Sequence, residues 1–372
     1  MTTGRAVLCV NTGSSSVKYG LFTFEPSPRT ISRGSSEVSG AGRAPTVLEW
    51  AERQRGSATV AAIGHRIVHG GPRHCDPRRV DDALMNDLRT LIPFAPNHLP
   101  DELSLIETIG QAWPGVPQFV CFDTSFHHDL PEVARRLPIP DNYNEAGVRR
   151  YGFHGLSFAF LLEELERIAG RRAAEGKVVL AHLGNGSSLA AVSHGHCIDT
   201  SMGFTPLGGV VMSTRSGDLD PGIVTYIARS EALSPDQIED LLSHHAGLVA
   251  ISGVSSDMRE LLAHEHTSRS CALAIAIYCY QIRKWIGAFA AALGGLDTLV
   301  FAGGIVEHSA PIRARICDGL QFLGIDLDAD ANRADASVIS RTETPLAVRV
   351  IPTDEELMIA RAAYTLLGAG DP

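Results

Sequence analysis

Long hydrophobic runs, paired cysteine motifs and an excess of basic charge are all missing from this sequence of 372 residues. The longest apolar stretch, Cys271 to Tyr280, is too short to cross a bilayer. The apolar run Ala6 to Val10 is too short for the core of a signal peptide, so we expect no secretion signal. A net charge of −10 argues against a protein that wraps nucleic acid. The length and an apolar content of 44% are typical of a soluble protein with two domains.

The seven cysteines are scattered, odd in number and without a CxxC spacing. Reduced thiols are the simplest interpretation, and we therefore expect a cytoplasmic protein. The histidines include no helical i,i+4 pair of the HExxH kind. We therefore expect no dedicated transition-metal site.

Two turns rich in glycine and serine organise the chain, and each lies between two apolar strands. The first joins Val7–Val10 to Val17–Phe22, and the second, Gly184–Ser188, joins Val178–Ala181 to Leu189–Val192. Strand, turn and strand predict a hairpin, and glycine leaves backbone N–H groups open to an anion. One such hairpin would be an ordinary turn. Two of them predict a duplicated fold with a phosphate loop from each half.

Several polar residues follow predicted strands or precede predicted helices. Arg66 lies at a strand end near Gly70-Gly71, where it is either an anion clamp or a solvated side chain. Residues 118–126 predict a buried strand that ends in Asp123, a position typical of catalytic or metal-binding carboxylates and also of helix caps. His154 precedes a helix that Ser157 is predicted to cap.

Three further segments complete the sequence pattern. The irregular stretch 199–222 contains Arg215. Long loops without secondary structure usually have a function, so we expect this stretch to have one. Gly303-Gly304 follows the strand Thr298–Ala302, a geometry common at nucleotide sites and elsewhere. Thr353 and Glu356 predict a capping box, which would leave the neighbouring Glu355 free.

These stretches form one ordered pattern between residues 10 and 361: VNTGSSSVKYGLF, GHRIVHGG, FDTSFH, RRYGFHG, HLGNGSS, DTSMGFTPLGGVVMSTRSGDLDPG, SGVSSDMRE, FAGGIVEHS and TDEELMIAR. Together they resemble the acetate kinase family, which also contains propionate and butyrate kinases. The resemblance implies an α/β protein with the duplicated actin-like ATPase fold, that is, two ribonuclease H-like domains with an interdomain cleft. It predicts an N-terminal domain of residues 1–127 plus 356–372, a C-terminal domain of residues 128–355 carrying most of the ATP site, and a homodimer.

The resemblance also implies a role for each matching residue. Asp123, His154 and Arg215 would be catalytic, with the last two stabilising the transition state. Asn11 and Glu355 would hold Mg²⁺, with Mn²⁺ as an alternative. Arg66 would bind the carboxylate in a pocket walled by Val68, Asn97, Phe153 and Pro206. The residues that would contact ATP or ADP are Lys18, His182, Leu183, Gly184, Asn185, Gly186, Asp257, Met258, Arg259, Gly304, Ile305, Val306, Glu307 and His308.

The chain departs from the family pattern at both ends of the predicted ligand path. Asn97 replaces a leucine that lines the acyl pocket in relatives, so we expect a more polar pocket. Val306 and His308 change the GIGEN motif, and we expect them to crowd the adenosine end. Because a carboxylate nucleophile is already ionised at neutral pH, we expect Asp123 to orient Mg²⁺ or Arg66 rather than to move a proton.

Three functions remain open from the sequence. The first is a kinase that transfers phosphate from MgATP to acetate or, next, propionate. The second keeps the fold and uses another carboxylate as acceptor. The third is a nucleotide-binding regulatory protein with weak transfer. None involves nucleic acid or a membrane.

Overall fold

The structure is a computed structural model, and it describes residues 4–13, 16–24, 27–37 and 42–369. Ser14 and Ser15 of the first predicted turn lie outside the described residues. The chain divides into a first unit, formed by Met1–His128, Gly155–Phe160 and Asp354–Pro372, and a second unit, formed by Asp129–His154 and Leu161–Thr353. The domain boundaries given above stay a prediction.

The strands are β1 Arg5–Thr12, β2 Val17–Thr23, β3 Arg29–Ser36, β4 Thr59–Ile67, β5 Arg78–Arg79, β6 Gln118–Phe122, β7 Val178–Leu183, β8 Ser187–Ser193, β9 His196–Thr200, β10 Thr298–Ala302 and β11 Ala347–Val350. The helices of the first half of the chain are α1 Arg43–Gln54, α2 Asp82–Thr90, α3 Leu99–Ala112, α4 Glu132–Arg135, α5 Asp141–Glu145, α6 Gly155–Ala169 and α7 Arg171–Ala174. The later helices are α8 Pro221–Glu231, α9 Pro235–His244, α10 Gly247–Ser252, α11 Met258–His264, α12 Arg269–Leu293, α13 Gly304–Glu307, α14 Ala310–Cys317, α15 Ala329–Arg333 and α16 Glu355–Ala369.

The sheet of the first unit has the order β3-β2-β1-β4-β6-β5. Strands β1, β2 and β3 pair antiparallel, whereas β4 runs parallel to both β1 and β6. The central strand β1 is buried on both faces, which explains its continuous apolar sequence. One face packs with α1 and α3, and the other packs with α16.

The sheet of the second unit has the order β11-β10-β7-β8-β9. Strands β7, β8 and β9 pair antiparallel, and β10 runs parallel to both β7 and β11. Helix α12 carries a stripe of buried residues that packs into the same core as β7, β8 and β10. This stripe is therefore part of the core of the second unit.

The two sheets repeat one pattern of pairing. Three successive antiparallel strands are followed by two parallel strands added beside the first of them, in β3-β2-β1-β4-β6 and again in β9-β8-β7-β10-β11. Each predicted glycine-serine turn joins the first two strands of its set. The duplication predicted from the two turns is confirmed, and the chain has the duplicated actin-like α/β fold.

Helix caps separate the correct local predictions from the wrong ones. The sequence Ser234-Pro235-Asp236-Gln237 predicts a capping box, and Ser234 and Gln237 form it at the start of α9. Ser157, however, is buried inside α6, whose cap position is occupied by His154. Among the described residues, no helix combines the length and apolar character needed to span a bilayer.

Candidate functional site

Arg66, near the end of β4, is held by carboxylates within the first unit. Its Nη2 donates to Asp123 Oδ2 at 2.7 Å, and its Nη1 donates to the Thr12 carbonyl at 2.6 Å and lies 3.6 Å from Glu102 Oε1. Burial alone would lower the pKa of Arg66, but the Asp123 and Glu102 carboxylates outweigh burial and raise it. Arg66 is therefore a fixed cation, and the reading of it as a freely solvated side chain is wrong.

Asp123 is fully buried where β6 ends. Its backbone N–H donates to the Ile67 carbonyl at 2.9 Å, and its carbonyl accepts from Gly155 N–H at 2.8 Å. A side chain at Gly155 would place its Cβ 2.3 Å from the Asp123 carbonyl oxygen, so only glycine allows this approach. The backbone contacts hold the Asp123 carboxylate against Arg66.

Glu102 on α3 is a member of this group that the sequence analysis missed. It is only 2% exposed, and its Oε2 accepts from the Val68 backbone N–H at 3.0 Å. Burial, set against Arg66 and the Val68 N–H, raises its pKa to about 7. A signal was present, because Glu102 lies on the helical stripe of Leu99, Ile106 and Ile109 that faces the core.

Asn11 on β1 joins two acidic residues from the start of α16. Its Nδ2 donates to Glu355 Oε2 at 2.7 Å and to Glu356 Oε1 at 3.0 Å. Burial raises the pKa of both glutamates, and a neighbouring carboxylate adds to the effect, Asp123 for Glu355 and Glu355 for Glu356. Lys18, paired with Asn11 across the hairpin, partly offsets the rise.

The capping box predicted at Thr353 and Glu356 is wrong. The Asp354 carboxylate accepts from Leu357 N–H at 3.0 Å and caps α16, while the Thr353 N–H donates to Glu307 Oε1 at 3.3 Å. Tertiary contacts with Asn11 and Glu307 thus replace the local pairing. Both glutamates contact Asn11, so the helix cap does not single out Glu355 as the free one.

The acidic residues around Asn11 fit a small divalent cation. Mg²⁺ takes oxygen ligands and keeps several of them from water and substrate phosphate. The Asn11 Nδ2 donates to both glutamates, so the Asn11 side-chain oxygen is the atom that could ligate a cation. The half-buried Glu355 and Glu356 carboxylates lie close together with raised pKa values, and a divalent cation would offset the repulsion between their charges. Within the described residues, no three His, Cys, Asp or Glu side chains form a metal site by themselves.

His154 begins the second group of residues, which lies in the second unit. Its backbone is left-handed, with φ of 59°, an uncommon conformation outside glycine that often occurs at functional positions. Its Nδ1 lies 2.8 Å from Ser188 Oγ, and its ring stacks on His182 with 4.3 Å between centroids. These contacts leave Nε2 as the atom directed at the glycine turn.

Gly186, in the turn between β7 and β8, lies against both predicted transition-state groups. A Cβ atom there would be 3.0 Å from His154 Nε2 and 3.6 Å from Arg215 Nη1. Arg215 is held by its Nη1, which donates to the Pro206 carbonyl at 3.2 Å, and by its own carbonyl, which accepts from Met212 N–H. The structure thus brings His154, Arg215 and the turn together.

The diglycine after β10 lies beside the same turn. Gly303 has φ of 92°, and a Cβ atom there would be 2.7 Å from the Leu183 backbone. A Cβ on Gly184 would be 3.9 Å from the Gly304 nitrogen. The Glu307 carboxylate accepts from the N–H groups of Gly303 and Thr353. Glu307 therefore fixes the diglycine segment.

Among the remaining residues predicted to contact the nucleotide, some side chains are buried and others are exposed. The side chains of Leu183, Met258 and Val306 are buried in the core, so contact with a nucleotide would use their backbone. Val306 thus does not crowd an adenosine with its side chain. Four others are exposed or only half-buried: Asn185, Ile305, His308 and Arg259, whose guanidinium pairs with the helix-capping Asp257.

The predicted acyl-pocket residues are placed differently from one another. Val68 is buried, with its N–H bound to Glu102, whereas Asn97 is exposed just before α3. In the second unit, Phe153 is buried and Pro206 is half-buried next to Arg215. Asn11, Arg66, Asp123 and Glu355 thus form one group, and His154, Gly186 and Arg215 form another.

Comparison with known proteins identifies the family. The sequence model of the Acetokinase family matches residues 43–361. Acetate kinases of Rhodopseudomonas palustris and Methylocella silvestris are 40% and 41% identical to this chain, and each alignment covers 98% of it and 99% and 98% of the relative. The crystal structure of Porphyromonas gingivalis acetate kinase matches with a TM-score of 0.87 at 34% identity, covering 98% of this chain and 100% of that one. A propionate kinase structure from Francisella tularensis matches with a TM-score of 0.89 at 32% identity, covering 97% and 99%. The chain therefore belongs to the acetokinase family of carboxylate kinases.

Proposed function

We propose that this chain catalyses the reversible transfer of the γ-phosphoryl group of MgATP to a short-chain carboxylate, giving ADP and an acyl phosphate. The observation that supports it best is the pairing of His154 Nε2 and Arg215 Nη1 around Gly186, a position without a side chain. Donors fixed before the reaction stabilise the charge that develops on phosphoryl oxygens.

The reaction is a direct in-line displacement. A carboxylate oxygen of the acceptor attacks the γ-phosphorus, and the bond from that phosphorus to the bridging oxygen of ADP breaks. No proton is transferred, because the acceptor is already ionised at neutral pH. Arg66 binds the acceptor carboxylate, and Asp123 keeps Arg66 oriented through their 2.7 Å hydrogen bond.

The residues around Asn11 are proposed to hold the metal ion. Asn11 and Glu355, with Glu356 as the alternative to Glu355, would ligate Mg²⁺ or Mn²⁺ directly or through water. The bound cation would neutralise charge on the nucleotide phosphates. Lys18, opposite Asn11 in the hairpin, would contact the same phosphates.

The second unit is proposed to bind the nucleotide. Glycines in the turn Gly184–Gly186 and at Gly304 let backbone N–H groups approach phosphate oxygens. His182 supports the ring of His154. Further contacts are proposed for the exposed and backbone groups of Leu183, Asn185, Asp257, Met258, Arg259, Ile305, Val306, Glu307 and His308.

Acetate is the proposed acceptor, with propionate next. The apolar side chains of Val68, Phe153 and Pro206 are the proposed contacts for the hydrocarbon part of a small acid. The polar Asn97 in place of an apolar residue is the reason to keep another carboxylate as the alternative acceptor. We also propose a cytoplasmic homodimer, and the free state of all seven cysteines fits a reducing compartment.

A hydroxylamine trap tests the proposal. The protein is incubated with MgATP, hydroxylamine and single carboxylic acids, and the acyl phosphate is measured as hydroxamate. We expect product with acetate, less with propionate, and none without ATP. Product only with another acid would support the alternative acceptor. Nucleotide binding without product from any acid would support a regulatory protein and overturn the proposal.

A further inference from the structure

The buried carboxyl of Glu102 has no part in the chemistry proposed above, yet it contacts the group that binds the acceptor. Its Oε2 accepts from Val68 N–H, and its Oε1 lies 3.6 Å from Arg66 Nη1. Oε1 is buried and accepts no hydrogen bond. Burial with one oxygen unbonded destabilises the ionised form of a carboxyl, so the protonation state of Glu102 depends on the charges around it.

The charges facing Glu102 come from three elements packed against α3. Arg66 on β4 and Arg43 on α1 are cations, and Asp123 after β6 is an anion. Arg43 is already paired with Asp101 at 2.7 Å, and Arg66 is already paired with Asp123. Asp123 already neutralises the Arg66 guanidinium. An ionised Glu102 would therefore place a second carboxylate next to the same cation.

On the basis of the proposed function, we propose that Glu102 is a positioning residue that links acceptor binding to proton uptake. The Oε2 hydrogen bond fixes the Val68 backbone, and the charge on Glu102 competes with the acceptor carboxylate for Arg66. A neutral Glu102 leaves Arg66 able to accept a second anion. An ionised Glu102 would make that anion the third carboxylate around one cation, which is unfavourable when all are buried.

The proposal fixes the direction of the pH dependence. With a Glu102 pKa of about 7 in the free protein, acceptor binding requires proton uptake from solvent above that pH. The KM for acetate should then rise by up to about tenfold per pH unit above neutrality. The KM for MgATP should not follow it.

The kinetic test uses Glu102→Gln, which keeps an acceptor for the Val68 N–H and removes the charge. We expect the pH dependence of the acetate KM above neutrality to disappear in this variant, with a lower KM at about pH 8. Glu107→Gln is the matched control, because Glu107 lies on the same helix but is exposed and paired with Arg89. It should keep the wild-type profile. An unchanged profile in Glu102→Gln would overturn the proposal.

A second measurement needs no turnover and uses the variant only to assign a resonance. In wild-type protein carrying ¹³C-carboxyl glutamate, one carbon resonance should titrate near neutrality, and added acetate should raise its midpoint. The resonance should be missing from Glu102→Gln. If the hydroxamate assay fails but the midpoint still responds to acetate, the proposed function fails and the linkage stands. A midpoint that ignores acetate would refute the linkage whatever the assay shows.

Discussion

The two groups of candidate site residues are built from different kinds of chemical group. Around Arg66 and Asn11, the first unit places carboxylate side chains: Glu102 and Asp123 are buried, and Glu355 and Glu356 are half-buried. Around Gly186, the second unit places a turn of backbone, with two side-chain donors fixed beside it. The first group depends on the balance of buried charge, and the second depends on space. Changes of charge and changes of volume should therefore affect them differently.

Removing the central cation should have the largest effect. Arg66→Gln is expected to lower kcat/KM for the carboxylate by roughly 10³-fold. It should also lower the thermal midpoint, because Asp123 and Glu102 would remain buried without their cation. Steady-state kinetics and a thermal melt measure the two effects. Arg89→Gln removes an exposed pair with Glu107 and should change neither. Loss of activity without loss of stability would contradict a charge-balanced group.

Asp123→Asn should have the next largest effect. The variant keeps the size of the side chain but weakens its hold on Arg66, so kcat/KM is expected to fall about 10²-fold. The pH dependence of kcat should persist, because Asp123 is proposed to orient a cation and to move no proton. The pH midpoint of the acetate KM should fall, because the Asp123 charge helps to raise the pKa of Glu102. A kcat within a few-fold of wild type would rule out an essential role.

Gly186→Ala tests the group that depends on space. The new methyl carbon would be 3.0 Å from His154 Nε2, so the ring must move by a few tenths of an ångström. We expect kcat to fall about tenfold with little change in the thermal midpoint. Gly287→Ala in α12 is the control, since nothing lies within 4 Å of its new carbon. Full activity in Gly186→Ala would show that the close approach of His154 Nε2 to Gly186 does not contribute to catalysis.

Glu102→Gln should have the smallest effect, and this one depends on pH. The folded-state pKa of about 7 lies above the ordinary glutamate value of 4.5. The folded protein therefore binds the proton more tightly, and its stability from this group is lost as pH rises from the ordinary value through neutrality. Between about pH 5 and about pH 8, the free energy of unfolding of the variant should rise relative to that of wild type by at most about 3 kcal/mol. Thermal melts at the two pH values measure this change. A pH-independent difference would indicate that Glu102 does not titrate in this range.

Parts of the fold and site that depend on local pattern could be predicted from the sequence. The hairpin at Gly184–Ser188, the strand ending at Asp123 and the capping box at Ser234 all follow from neighbouring residues. The cap of α16 could not be predicted, because Glu356 bonds to Asn11, 345 residues away. Glu102 was missed because its apolar stripe predicts a core helix and gives no sign of the Arg66 beside it.

The sequence by itself determined the family, the duplicated fold and the residue types that phosphoryl transfer needs, because these follow from ordered motifs and from the alternation of apolar runs and glycine turns. Only the tertiary structure decided which charges are buried together. Desolvation and close approach depend on chain segments far apart in sequence, and these set the pKa of Glu102, the two partners of Asn11 and the space around Gly186.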